Sequence, residues 1–320
     1  MKILAVQNRK GIGDTVIFLT FIEAISKKYS VPIDLLVREN SKADQFLVNT
    51  KYINNIHILK RNDQSNGNHD GLLGAIKLIN DLKYENFDKV FIFNSSLRFN
   101  LIAKLAGIKE VFQYPLFKKD KQHITETAKT FLKNSISIKD FNDPNIEIDK
   151  NHAIKITSKY NINKKYINIL LGIGGSGPTK RIPAKIFIKF MENITENKNC
   201  RFFLATGKNE DEQKILNEIM NSKSGHLCTP LDNLEIKDTL PIIQNCNAAV
   251  CNDTSFSHLS AALGVDTITL MADTPLIYGS YSSKMHPIIP DGETIVTHDT
   301  LGKNRINPDK ILEKLIKILN

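Results

Sequence analysis

Tryptophan is absent from this chain and cysteine is scarce. The four cysteines, Cys200, Cys228, Cys246 and Cys251, show no CxxC spacing, and Cys200 and Cys251 fall in apolar, strand-like runs. That is the setting of buried free thiols in a reducing compartment. No uninterrupted apolar run approaches the roughly 20 residues that a bilayer-spanning helix needs. The opening run Lys2–Val6 is too short for the apolar part of a signal peptide and leads into a glycine turn, so a cytoplasmic protein is expected. Two nucleotide-binding signatures are missing as well. Gly11-Ile-Gly13 has no third glycine of a dinucleotide fingerprint, and no Gly-Lys-Ser/Thr of a P-loop follows it.

What remains is a soluble composition, with 41% hydrophobic and 24% charged residues in a chain of 320. The length corresponds to about two domains. A net charge of +9 is spread along the chain and suits acidic partners such as anionic lipid or phosphorylated substrates. No compact basic-aromatic module is present, so nucleic acid is not expected as a partner.

The first half alternates short apolar runs with amphipathic stretches. Lys2–Val6 reads as a buried strand, Gln7–Gly13 as a loop and Asp14–Tyr29 as a helix with Val16, Leu19, Ile22 and Ile25 on one face. Strand, glycine turn and helix open a doubly wound sheet, in which ligands meet the carboxyl ends of the strands. Asp14 is then either a plain helix cap or a carboxylate facing a ligand. Strand-like runs follow at 33–37, 56–59, 89–93 and 111–114, and helices at 43–49, 72–83, 99–106 and 123–134. Arg61–Asp70 reads as a polar loop. Arg98 precedes the 99–106 helix, either as a surface arginine or as a group for a phosphate or carboxylate. The acidic, proline-containing run Asp140–Lys150 is the expected linker, which makes the domains 1–150 and 151–320.

The pattern restarts with a helix at 152–160 and a strand at 166–171. Gly172-Ile-Gly-Gly-Ser-Gly-Pro-Thr-Lys-Arg181 follows, where glycine N–H groups with Ser176, Thr179 and Lys180 can cradle a diphosphate. The next strand, 201–206, ends near Glu210, Asp211 and Glu212. These carboxylates either complement a helix N-terminus or meet a ribose diol. Around this frame stands Cys251-Asn-Asp-Thr-Ser-Phe-Ser-His-Leu-Ser-Ala-Ala-Leu-Gly264. A strand emptying into Asp253, Thr254 and Ser255 at a helix start, with His258 one turn on, is an anion site by construction. Strand 267–271 and an amphipathic helix at 307–319 complete the chain.

Gly11-Ile-Gly-Asp14, Pro178-Thr-Lys-Arg181, Gly207 with Glu210, and Asn252–Ala262 occur in one order across nearly the whole chain. In these motifs the sequence resembles the heptosyltransferase family of glycosyltransferases. The resemblance implies an α/β GT-B fold: two Rossmann-like, doubly wound domains facing a central cleft, the first for the acceptor and the second for the donor. It implies inverting, metal-independent transfer of a sugar, usually heptose from ADP-heptose, to a lipopolysaccharide-core or related envelope glycan. By matching position, Asp14 would be the general base, Ser176, Thr179 and Lys180 would hold the donor phosphates, and Glu210 the ribose. Asp253, Thr254, Ser255 and His258 would take the diphosphate and sugar, with Gly11, Gly13 and Arg98 on the acceptor side. No cofactor is implied, and no Asp-x-Asp pair stands at a strand end to hold a metal. An anionic glycolipid acceptor would bring the protein to the inner face of the plasma membrane. Ser255 stands where the family usually carries glycine, and Ile182 where tryptophan is frequent. Two other readings are an epimerase or hydrolase of nucleotide sugars and a non-catalytic nucleotide-sugar-binding relative.

Overall fold

Nearly every apolar run becomes a strand of a parallel sheet, and the amphipathic stretches between become the crossover helices. The computed structural model describes residues 1–61, 67–116, 123–163 and 165–320. The chain divides into two units, Met1–Glu147 and Ile148–Asn320. Both are α/β units built on an all-parallel sheet.

The first unit runs β1 (Ile3–Gln7), α1 (Ile12–Tyr29), β2 (Ile33–Arg38), α2 (Ala43–Phe46), β3 (Ile53–Leu59) and α3 (Gly71–Glu85). It continues with β4 (Lys89–Ile92), α4 (Leu97–Leu105), β5 (Glu110–Gln113) and α5 (Ile124–Ile136). Its sheet has the order β3-β2-β1-β4-β5. Strands β1, β2 and β4 are buried almost throughout, because helices cover both faces, and they therefore read as continuous apolar runs. Of the loop expected at 61–70, residues 62–66 lie outside the described residues.

At the far end of this sheet a buried carboxylate organises the edge strand. The register of β3 on β2 slips between Ile33 and Leu35, a bulge at Asn54-Asn55. Both amides turn onto Asp34, at 2.7 and 3.3 Å, and His57 Nε2 joins them at 2.8 Å. Burial pushes the Asp34 carboxyl up, but the hydrogen bonds from His57, Asn54 and Asn55 outweigh it and hold the group below the ordinary range.

The second unit runs α6 (Lys150–Lys159), β6 (Ile167–Gly172), α7 (Ala184–Thr195), β7 (Cys200–Ala205), α8 (Glu210–Met220) and β8 (Cys228–Pro230). Then come α9 (Ile236–Gln244), β9 (Ala248–Asn252), α10 (Ser255–Ala262), β10 (Thr267–Leu270), β11 (Met285–Ile288) and α11 (Pro308–Leu319). The order is β11-β10-β9-β6-β7-β8. Helix α7 buries Phe187, Phe190 and Met191 completely, each worth about 1.5–3 kcal/mol. Phe190→Ala would leave a cavity costing about 3–5 kcal/mol.

The run between α5 and α6 has no regular element, and its residues up to Glu147 pack on the first unit. Tyr52 Oη donates to the Asn145 carbonyl at 2.6 Å, Phe141 meets Phe21 edge-on, and Lys51 pairs with Glu147. Two strands, β8 and β11, were not expected. Both lie at sheet edges and contain proline (Pro230 and Pro287), which an edge tolerates and which breaks the strand pattern in the sequence.

Candidate functional site

Both sheets reverse their winding at one point, between β1 and β4 and between β6 and β9. The loops leaving those neighbouring strands diverge there, which is where open α/β sheets bind ligands. In the second unit Gly172 pairs in register with Cys251, so the loops 172–181 and 252–255 leave the sheet side by side. Gly172 is needed for that approach: a Cβ there would lie 2.6 Å from Cys251 Sγ.

The glycine loop is held from two sides. Asn252 Nδ2 donates to the carbonyls of Ile173 and Gly174, both at 2.9 Å. Glu212 Oε1 accepts the Gly175 N–H at 2.6 Å. Glu212 is only 6% exposed, and a Cβ on Gly174 or Gly207 would collide with its carboxylate. Asn209 caps α8 by accepting the Glu212 N–H, and its amide donates back to the Glu212 carboxylate. Glu210, expected at the ribose, stands in the first turn of α8 with its carboxylate in solvent, 2.9 Å from Lys214 Nζ. The buried carboxylate of this turn is therefore Glu212, which sequence reasoning treated as one acid among three. The Asn-x-x-Glu capping spacing was the available signal.

Lys180 Nζ lies 2.6 Å from Asp253 Oδ2, across 73 residues of chain. Asp253 is 6% exposed. Burial pushes its carboxyl up, yet the charges of Lys180 and His258, with the hydrogen bond from Lys180, hold it below the ordinary range. His258 Nε2 sits 3.8 Å from Asp253 Oδ1, while Nδ1 makes a 2.8 Å hydrogen bond with Tyr281 Oη and the two rings stack. Thr254 is the N-cap of α10, its hydroxyl accepting the Phe256 N–H, and Ser255 is the first helical residue. The structure thus gathers Lys180, Asp253, Thr254, Ser255 and His258 at one helix start. Tyr281, which no local pattern marks, joins them. Ser176 is exposed and Thr179 half-buried on the same loop as Lys180.

In the first unit Gly11 caps α1 at φ 92°, a backbone state that glycine alone adopts freely, and Gly13 is inside the first turn. Asp14 is therefore not the cap. It is a first-turn carboxylate, half-buried, with Arg9 Nε 3.2 Å from Oδ1. His123, the N-cap of α5, feels the charges of both. Its imidazole is pushed below the usual histidine range by burial and by Arg9. The expectation for Arg98 needs correction. Residue 98 lies inside α4, and its guanidinium donates to the carbonyls of Gly71 at 2.8 Å and His69 at 2.6 Å. It brackets the start of α3 and is committed to backbone. The cations at this sheet edge lie elsewhere, around a cavity of about 470 Å³ whose described lining includes Lys10, Arg38, Lys60 and Arg61 with the carboxylate Glu39.

Residues 76–289 match the profile of glycosyltransferase family 9 (heptosyltransferase). The chain belongs to this family. It is a glycosyltransferase, which sets aside the epimerase and the pure binder. Lipopolysaccharide heptosyltransferase 1 of Campylobacter coli is 21% identical, with 99% of this chain and 98% of that protein aligned. Among solved structures, a family 9 glycosyltransferase from Veillonella parvula superposes with a TM-score of 0.82 at 15% identity, covering 99% of this chain and 97% of that one. E. coli heptosyltransferase WaaC with ADP-2-deoxy-2-fluoro heptose gives 0.70 at 12% identity, covering 99% of each chain. These likenesses carry the fold, which is GT-B, with two parallel-sheet α/β domains.

Proposed function

We propose that this glycosyltransferase moves a heptose from ADP-heptose to a lipopolysaccharide-core or related envelope glycan, inverting the anomeric carbon without a metal. The observation that carries the donor side is the pairing of buried Asp253 with half-buried Lys180 beside the start of α10. A fixed ammonium and the positive end of the α10 dipole suit the two charges of a diphosphate. The nucleotide carried by the E. coli neighbour supports adenine. In this reading residues 151–320 take the donor. Ser176, Thr179 and Lys180 hold its phosphates, Glu210 the ribose, and Asp253, Thr254, Ser255 and His258 the diphosphate and sugar.

Residues 1–150 take the acceptor, with the Gly11–Gly13 turn giving backbone access and the cavity at Lys10, Arg38, Lys60 and Arg61 meeting its anionic groups. Asp14 removes the proton of the attacking hydroxyl. That oxygen bonds to the anomeric carbon as the bond from the same carbon to the diphosphate oxygen breaks on the opposite face. The electron pair leaves with the diphosphate, where the Lys180 ammonium and the positive end of the α10 dipole stabilise it.

A melting-temperature panel of ADP, UDP, GDP and ADP-heptose tests the reading, since a ligand that binds only the folded state stabilises it by mass action. ADP and ADP-heptose should raise the midpoint above the other two, and Lys180→Ala should shrink the rise. Equal shifts with all three diphosphates would remove the adenine assignment.

A further inference from the structure

The outer face of α3 and α4 carries large apolar side chains that stand exposed among the described residues. Leu72, Leu73 and Ile76 are 78%, 82% and 48% exposed, on the side of α3 opposite buried Leu78 and Leu82. Leu97, Leu101 and Leu105, at four-residue spacing on α4, are 41%, 49% and 66% exposed, opposite buried Phe99, Ile102 and Ala103. The two helices pack against each other over one core, so these exposed side chains stand on neighbouring helices. A contiguous patch of this kind marks an interaction site.

Its charge selects the partner. Asp81 is turned onto His69 and Glu85 onto Lys2, while α4 has no acid. Lys77, Lys83 and Lys104 stand exposed on the same two helices. The patch is also continuous with the basic cavity. Lys60 N–H donates to His69 Nδ1, Arg61 pairs with Asp70 at 2.9 Å, and Arg98 ties His69 and Gly71 to α4. One turn of chain therefore joins the cavity wall to the apolar face.

We propose that the α3–α4 face docks on an anionic lipid bilayer, its leucines entering the interface while the neighbouring cations meet the headgroups. This deepens the acceptor side of the proposed function by naming the surface from which a lipid-linked acceptor is reached.

Sedimentation of the full chain with vesicles of phosphatidylcholine, alone or with about one-third phosphatidylglycerol, tests it. Wild type should partition onto the anionic vesicles at least about tenfold more strongly than onto neutral ones, and salt should weaken binding. Leu73→Asp with Leu101→Asp should lose about tenfold in partition, with melting temperature, ADP affinity and mass in solution unchanged. The milder pair Leu73→Gln with Leu101→Gln should fall between the two. Equal partition of wild type and both variants would overturn the proposal, as would wild type that ignores both kinds of vesicle. A dimer seen by light scattering and dispersed by these variants would overturn it too, by making the face a contact between copies. The vesicles hold no acceptor and the assay no donor. Failure here therefore leaves the transfer reading untouched, and failure of ADP to bind would leave the docking result standing.

Discussion

The carboxyl edges of the two sheets have the same topology and opposite chemistry. In the second unit the polar groups are buried and already paired: Asp253 with Lys180, Glu212 with a backbone N–H, Asn252 with two carbonyls. In the first, Asp14 and Arg9 stay partly exposed, beside a cavity rich in lysine and arginine. Burial fixes geometry, and an exposed cationic surface tolerates variety in what it meets. In the proposed reading, a winding shared by both units supports one edge for a constant group, the donor diphosphate, and one for a larger and more variable acceptor.

The hardest test of that contrast is Asp14→Ala. The rate of transfer should fall about 10²–10⁴-fold, the usual share of a general base, while calorimetry finds the ADP dissociation constant within about twofold of wild type. Loss of ADP affinity would break the division of labour. Lys180→Ala should do the reverse, weakening ADP about 10–100-fold. It also strands a buried carboxylate at Asp253, so urea denaturation should show about 3–5 kcal/mol of lost stability.

Away from either edge, Asp34→Asn should cost about 1–3 kcal/mol in the same assay. The pH dependence has a definite sign. Asp34 is held below its ordinary value in the folded chain, so its contribution is present above the unfolded carboxylate pKa of about 4 and is lost as pH falls through the folded value. The Asn variant should show a shallower acid limb. The smallest effect belongs to Glu210→Gln, whose exposed carboxylate should change ADP affinity only about threefold. Glu212→Ala, by contrast, leaves the Gly175 N–H without its partner and should cost about 1–3 kcal/mol.

The central strands were legible because burial on both faces leaves an unbroken apolar run, as in Ile3–Gln7 and Ala248–Asn252. The edge strands β8 and β11 were not, since pairing along one side tolerates proline and short length. The helix start at Thr254-Ser255 could be read because its signal is local: a hydroxyl cap after a strand. What could not be read depends on the fold. Arg98 shows no local sign of bracketing Gly71, 27 residues away, and nothing beside Tyr281 announces His258. Glu210 and Glu212 differ by which side of one helical turn faces the sheet, a distinction that only the Asn209 capping pattern hinted at.

Asn252 has a consequence for how this family can change its donors. Its single amide fastens the glycine loop to the end of β9, tying together the two segments around the proposed donor position. A sheet end locked in this way cannot widen to suit a new sugar. Adaptation falls instead on the atoms that project from it, and Ser255 in place of the usual glycine is a change of that kind: the frame stays still and the selectivity is written in single side chains.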